Sequence, residues 1–314
     1  MANAIASKYS MGYVLETVQG TTPASPLKAM RLTSGVGQVN QSFAESDEIQ
    51  LFEVPNAIRT SAEGSIDIAG ELSYGLLDDF LAAIFQQAVP ATWNATNILA
   101  VGNTPVSMTI EDQWNDITKF MPYKGCVIEG LDINLAQGSK ITFKAKAKAM
   151  TPPTAAAATT AGTGAQTAAP TNDVMDPIGS VQLAQEGGAG SLLTGAPGLT
   201  ALSMSFSRAA IMEPQLGSTA QAGLGSGRFV MKGSFSTYFA NSTILDKWLG
   251  DTTTSLSFTL GGSAAKKYNF LFSKVYLTDG GPSAVSKDAP VIQTYSFQAV
   301  YDPTNTTCKV TRTP

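Results

Sequence analysis

The sequence predicts a mainly-β protein made of two tandem β-sandwich or barrel domains, each covered by one short α-helix. Three observations carry this. Segments of alternating apolar and polar residues recur along the 314 residues, the period of two that marks half-buried strands. A low-complexity stretch at 151–172, TPPTAAAATTAGTGAQTAAPTN, divides the chain near its midpoint into parts of about 150 residues, the size of an ordinary domain. One motif is also written twice: GSIDIAGELSYGLLDDFL from Gly64 and GSFSTYFANSTILDKWL from Gly233 both pass from an alternating strand into a short amphipathic helix. The expected organisation is a first domain at 1–150, a linker or mobile loop at 151–172 with no large apolar residue to bury, and a second domain at 173–314.

In the first part, residues 28–34 (KAMRLTS) alternate as a short strand. Residues 59–72 form a long one, with Ile66, Ile68 and Leu72 on one face and Asp67 and Glu71 on the other. In the helix that follows, Leu77, Phe80, Leu81 and Ile84 fall at i, i+3, i+4 and i+7, a single stripe suited to covering a sheet or barrel mouth. Strands at 106–110, 127–135 and 141–150 complete this part, the last two joined by a Gln137-Gly138-Ser139 turn. The second part repeats the order. Residues 201–207 (ALSMSFS) stand for KAMRLTS and 228–238 for the long strand. The helix at 241–249, capped by Asn241 or Ser242, offers Ile244, Leu245, Trp248 and Leu249 as its stripe. Strands at 254–260, 268–273, 290–301 and 306–313 follow. Each part carries a long polar excursion between its first two strands, at 44–57 and 208–226. Loops of that length are commonly functional. Ile49, Leu51, Phe52 and Val54 on the first arm, and Ile211, Met212 and Leu216 on the second, give both arms an apolar surface for docking.

Composition narrows the function. Charged residues make up 14% of the chain, against the usual quarter. A surface so poor in charge suits a protein largely covered by copies of itself, because charge is what keeps monomers apart. The net charge of −4 argues against a basic nucleic-acid-binding domain. Histidine is absent, which removes the commonest general base and metal ligand. Cys126 and Cys308 form no metal spacing and read as two buried free thiols. No secretion signal and no membrane-spanning run is visible, so the expectation is a soluble protein made in the cytoplasm.

No catalytic, metal or cofactor site rises above background. Lys140, Lys144, Lys146 and Lys148 share one strand face. That row lacks the interleaved aromatics and arginines of a nucleic-acid reader, and reads as a solvated face or one paired with acidic neighbours. Gly223-Leu224-Gly225-Ser226-Gly227 precedes a strand, whereas a phosphate cradle needs a helix there. Asp78-Asp79 and Glu111-Asp112 read as helix first-turn and strand-end charges. Asp67 and Glu71, with Asp132 and Asn134 on the 127–135 strand, read as a solvated or pore-facing surface.

The order of strands, the covering helix in GELSYGLLDDFLAAIF, and the closing segments SLSFTLGG and APVIQTYSFQAVYDPTNTTCKVTR resemble the major tail tube proteins of long-tailed, non-contractile bacteriophages. The likeness spans Tyr9 to Arg312 and rests on overall pattern. It implies tail-tube-like domains that assemble into stacked rings, around a tape-measure protein and then around passing DNA that is not read by sequence. The arms would be ring-to-ring contacts, and Asp67, Glu71, Asp132 and Asn134 would face an acidic or neutral bore. Tail terminator and tail-tip proteins would be further partners, with assembly in the host cytoplasm and residence in the virion tail. Two fused copies imply a homotrimeric ring with approximate six-fold symmetry. The competing expectations are a secreted or surface adhesin or carbohydrate-binding β-sandwich, for which no secretion signal is seen, and a carboxylate enzyme, for which no suitably spaced acid pair is seen.

Overall fold

The computed structural model describes residues 3–47, 53–54, 56–94, 96–175, 185–186, 190–191, 199–261, 266–283 and 287–313. The first part contains β1 (Tyr9–Leu15), β2 (Lys28–Ala29), β3 (Ser34–Glu45), β4 (Ala57–Glu71), α1 (Asp78–Phe85), β5 (Leu99–Ala100), β6 (Met108–Trp114), β7 (Lys119–Ala136) and β8 (Thr142–Ala149). A minimal pair, β9 (Gln185–Glu186) and β10 (Gly190–Ser191), precedes the second part. There follow β11 (Leu199–Glu213), β12 (Gly223–Tyr238), α2 (Thr243–Leu249), β13 (Thr254–Gly261), β14 (Lys267–Pro282), β15 (Ile292–Ala299) and β16 (Lys309–Thr313).

The protein is mainly β, as its alternation predicts, but the strands do not close into a barrel. Apart from β9 and β10, they form one open antiparallel sheet of 14 strands. The reason lies in β7, which is long enough to serve three neighbours. Its first run, Lys119–Cys126, pairs with β6. Its second run lies between β8 on one side and β11, the first strand of the second part, on the other. One buried cluster runs through both parts beneath this sheet.

The two parts share one pairing scheme. In the first, β3 pairs β4, β4 pairs β8, β8 pairs β7 and β7 pairs β6. In the second, β11 pairs β12, β12 pairs β15, β15 pairs β14 and β14 pairs β13. Their bulges coincide as well. The shift between Ile128 and Gly130 opposite β8 matches that between Leu277 and Asp279 opposite β15. Carried through the ladders, this register makes Val39 equivalent to Phe206 and Gly64 to Met231. The Ser42/Phe43 irregularity then falls on the Arg208/Ala210 one. The sequence match of Gly64 with Gly233 is therefore displaced by two residues, one pleat period, which keeps every side chain on its face. Both glycines answer a local need. A Cβ at Gly233 would lie 2.5 Å from the Phe297 ring, and one at Gly64 2.8 Å from the Ala149 Cβ.

Several boundaries move. In the 28–34 segment Lys28–Ala29 pairs with β1 and Ser34 already opens β3, and the counterpart of β11 is β3. Both excursions begin and end in paired backbone: β3 and β4 run together out to Glu45 and Ala57, and β11 and β12 out to Glu213 and Gly223. They are long two-stranded arms. The 151–172 stretch is laid along the first part and tied there. Ala161 N–H and the Thr160 hydroxyl each donate to the buried Glu111 carboxylate at 2.6 Å. Thr167 donates to Leu27 O and accepts from Ala29 N–H, both at 2.8 Å, and Ala157 exchanges two backbone bonds with Phe120. Its small residues permit this close lie: a Cβ on Gly162 would sit 2.7 Å from Leu27 Cγ.

The helices differ sharply. In α1 every residue except Asp78 is buried. Leu77, Phe80, Leu81 and Ile84 lie in the core, and the helix packs on β7 and on β11. In α2, which packs on β14, only Ile244 is fully buried. Trp248 packs on Tyr295 with ring centroids 6.3 Å apart, and Leu245 is half-buried. Leu249 does not belong to the packing stripe, since it stays exposed.

The second part holds α1 by its first turn. Arg312 from β16 pairs with Asp78 at 2.7 Å and lies 4.3 Å from the Tyr74 ring, while the Tyr268 hydroxyl donates to the same carboxylate. Burial keeps the Asp78 carboxyl above its ordinary range although Tyr268 and Arg312 pull it down. Asp79 accepts from Tyr13 and Lys28 at 2.9 and 2.6 Å. Removing one partner of such a desolvated set leaves the other charge stranded. Arg312→Ala is therefore expected to cost about 2–3 kcal/mol, the loss of a hydrogen bond to a charged group. Lys140→Ala, which breaks the exposed Lys140–Glu71 pair, should cost under about 1 kcal/mol. Denaturant midpoints of the two variants check the difference.

Candidate functional site

The alternation of the central strands produces a continuous polar face opposite the core. On β4, Ile66 and Ile68 turn inward and Asp67 turns out. On β8, Phe143, Ala145 and Ala147 turn inward, and Lys144 and Lys146 turn out. The ladders fix what lies beside what: Asp67 opposes Lys146, Asp132 on β7 opposes Lys144, and Asn134 opposes Thr142. Glu71 is reached by Lys140 at 2.6 Å. Because β8 pairs on both sides, its lysine row is no sheet edge, and Lys144 and Lys146 face carboxylates directly across the ladder, an arrangement that supports the pairing.

Across the β7–β11 step the face continues, and its chemistry changes from charge to hydroxyl. The Ser205 hydroxyl donates to Asp132 at 2.6 Å, Ser203 and Ser234 meet at 2.9 Å, and Ser236 and Thr294 at 2.9 Å. Lys232 on β12 lies beside Ser205 and Gln298. Asp67, Glu71, Asp132 and Asn134, expected to face an acidic or neutral bore, therefore lie on a surface of mixed charge. All four residues do share one face, but the lysines share it with them, so no acidic surface can be separated from a basic one.

The arms carry the second group of predicted residues. Val54, Ile211 and Leu216 are exposed and Met212 is half-buried, while Ile49, Leu51 and Phe52 lie outside the described residues. The second arm is also held by its own chain. Leu224 O accepts from the Gln19 amide at 3.0 Å, Gln221 N–H donates to Met150 O, and Thr219 O accepts from Ala62 N–H. Side-chain pattern carries no sign of this docking, because every one of these bonds except the Gln19 amide uses backbone alone. Phe43 and Ile58, at the root of the first arm, are exposed apolar residues that a search for apolar residues between strands passes over, since they lie within strands.

The acid pairs have structural work. Glu111 and Asp112 are fully buried within β6 and are not strand-end charges. Asp112 accepts from the Tyr9 hydroxyl at 2.6 Å and from Gly37 N–H at 2.9 Å, and burial raises its pKa. Glu16 accepts from Gly20 N–H, Gly125 N–H, Ser107 and Thr109. Cys126 and Cys308 are both free and buried, with thiol pKa values pushed up by desolvation, so they are inert as nucleophiles. Among the described residues no group of His, Cys, Asp or Glu could hold a metal ion.

The cross-strand charge pairing on the polar face is open to direct test. Lys144→Glu places a carboxylate opposite Asp132 and should destabilise the protein by about 1 kcal/mol, the scale of one cross-strand pair. The cost should shrink as salt is raised. Lys144→Gln should be close to neutral, and thermal melts at two ionic strengths separate the two outcomes.

No curated protein matches the chain. The family model for phage tail tube proteins matches residues 7–299, nearly the whole sequence. A charge-poor, histidine-free chain with no metal-binding group among its described residues, an extended polar sheet face and projecting arms has the make-up of a structural assembly subunit, and the protein belongs to the phage tail tube family.

Proposed function

We propose that the protein builds the tail tube of a long-tailed, non-contractile phage as stacked rings of three chains, each chain supplying two tandem domains, 1–150 and 173–314, at adjacent positions. The observation that carries this is the shared pairing scheme with coincident bulges in one unbroken sheet. Two units of the same topology, already joined edge to edge, supply two of six pseudo-equivalent places. Closed rings need each interface to be the same heterologous contact. Fusion makes every second one intramolecular, at high effective concentration, and the tied 151–172 stretch holds the connection in place.

In this reading the polar face of β4, β8, β7, β11, β12 and β15 lines the bore. Balanced charge and hydroxyls let DNA pass without the counterion release that makes a basic channel retentive. The tape-measure protein fills the bore before ejection, and tail terminator and tail-tip proteins close the two ends. The role is structural, with no catalysis and no cofactor. Subunits assemble in the host cytoplasm.

The exposed apolar residues of the arms, Val54, Ile211 and Leu216 with Met212 beside them, make ring-to-ring contacts in this scheme, as do Ile49, Leu51 and Phe52. Removing residues 47–54 should leave a folded, soluble subunit that no longer forms long tubes. Negative-stain microscopy of the purified variant, beside the parent protein, is the test. Long tubes from the variant would show that the arms are not the stacking contact.

A further inference from the structure

Besides the hold of Arg312 and Tyr268 on Asp78 and the pairing of β16 with β5, the second part grips the first at three places inside one chain. The Ala201–Ser207 run of β11 pairs with Gly130–Ala136 of β7. Phe206 and Phe229 pack edge-on against Phe85 at the end of α1, with centroids 5.7 and 5.4 Å away, and the buried Arg208 donates to Gln86 beside them. The root of the second arm then lies over the first part through Thr219, Gln221 and Leu224.

The shared register converts each of these into a prediction for surfaces left open. The equivalent of β11 is β3, which among the described residues pairs only with β4. Gly130 and Asp132 of β7 correspond to Asp279 and Gly281 of β14. Over that run β14 pairs with β15 and has no described strand on its other side. The helix equivalent to α1 is α2, which packs on β14 as α1 packs on β7 but, among the described residues, has no strand packed in the place of β11. Apolar surface is exposed on both sides of the implied joint. Leu249 is 68% and Tyr301 66% exposed on the second part, and Phe43 is 59% and Ile58 60% exposed at the root of the first arm. The β7 edge and the helix end gripped inside the chain thus have counterparts on β14 and α2 that no described strand covers.

We infer that the second part of one chain receives the first part of a second copy, with β3 beside the end of β14 and the root of the first arm over α2 and Tyr301. This rests on the ring reading above and specifies its contact. The internal template sets the register: Ser207 opposite Gly130 becomes Asn40 opposite Asp279, and Phe206 opposite Leu131 becomes Val39 opposite Gly280. The joint between chains carries fewer strand bonds than the internal one. Gly37 N–H is already taken by Asp112, and Pro282, which would face it, has no N–H to give. Such features keep a free edge from pairing indiscriminately. The apolar cover over α2 and Tyr301 supplies the rest of the contact.

Asn40 and Asp279 fall at a closely spaced, non-hydrogen-bonded pair, where Cα atoms lie about 4.5 Å apart, within disulfide reach. The variant carrying both Asn40→Cys and Asp279→Cys, assembled and then oxidised, should run on a non-reducing gel as a ladder of covalent multimers. Neither single variant should do so, and the buried Cys126 and Cys308 provide the background in the parent protein. Leu249→Asp, at a position exposed in the subunit, should leave the melting temperature unchanged and reduce ring formation at least tenfold. Tubes that form normally from the double-cysteine chain yet give no ladder, or Leu249→Asp chains that assemble as the parent does, overturn this interface and leave the tube reading standing. A parent protein that forms no rings under any assembly condition overturns both.

Discussion

The structure depends on one strand serving two sheets' worth of partners. Because β7 pairs with β6 through its first run and lies between β8 and β11 through its second, the two parts of the chain cannot be independent beads. Backbone polar groups must be paired when buried, and those on the β11 side of β7 are satisfied only when the second part is in place. The seam is then dressed by side chains from both sides: Phe85 with Phe206 and Phe229, Gln86 with Arg208, Asp78 with Tyr268 and Arg312. A polar sheet face therefore crosses the seam without a break, which a conduit lining requires and two hinged domains would not provide.

Buried carboxylates fix what the sheet leaves irregular. Glu16 gathers the 20s turn, Gly125 and two β6-side hydroxyls, Glu111 fixes the low-complexity stretch, and Asp112 caps an outward N–H of β3. In a chain with so few charges, these are spent inside the fold on backbone N–H groups that have no strand partner.

Much of this was legible in the sequence. The two-residue period in SIDIAGEL, TFKAKAKA and YSFQAV marks β4, β8 and β15, and the strand-to-helix motif located both helices and the repeat. What could not be read follows from what local pattern omits. Asp79, Glu111 and Asp112 look like surface charges until the topology buries them. Leu249 continues the apolar stripe of α2 by spacing, yet it stays exposed, because burial is set by what packs on a helix and not by its period. The Ala- and Thr-rich stretch at 151–172 has the composition of a free linker, but its small side chains instead let backbone lie against Leu27 and under Glu111. Which carboxylates face the 141–150 lysines also lies beyond local pattern, because cross-strand registry is a long-range property that no single segment reveals: Asp67 opposes Lys146 and Asp132 opposes Lys144.

The central claim is that the two parts are equivalent positions in a ring. The most direct measurement is a tube cross-section by electron cryomicroscopy, at a resolution that traces strands. The account predicts three chains per ring, with the β7–β11 step inside each chain and a similar β14–β3 step between chains, successive parts being related by roughly one-sixth of a turn. Six chains per ring, or a joint between chains that leaves β3 and the end of β14 facing solvent, would contradict it.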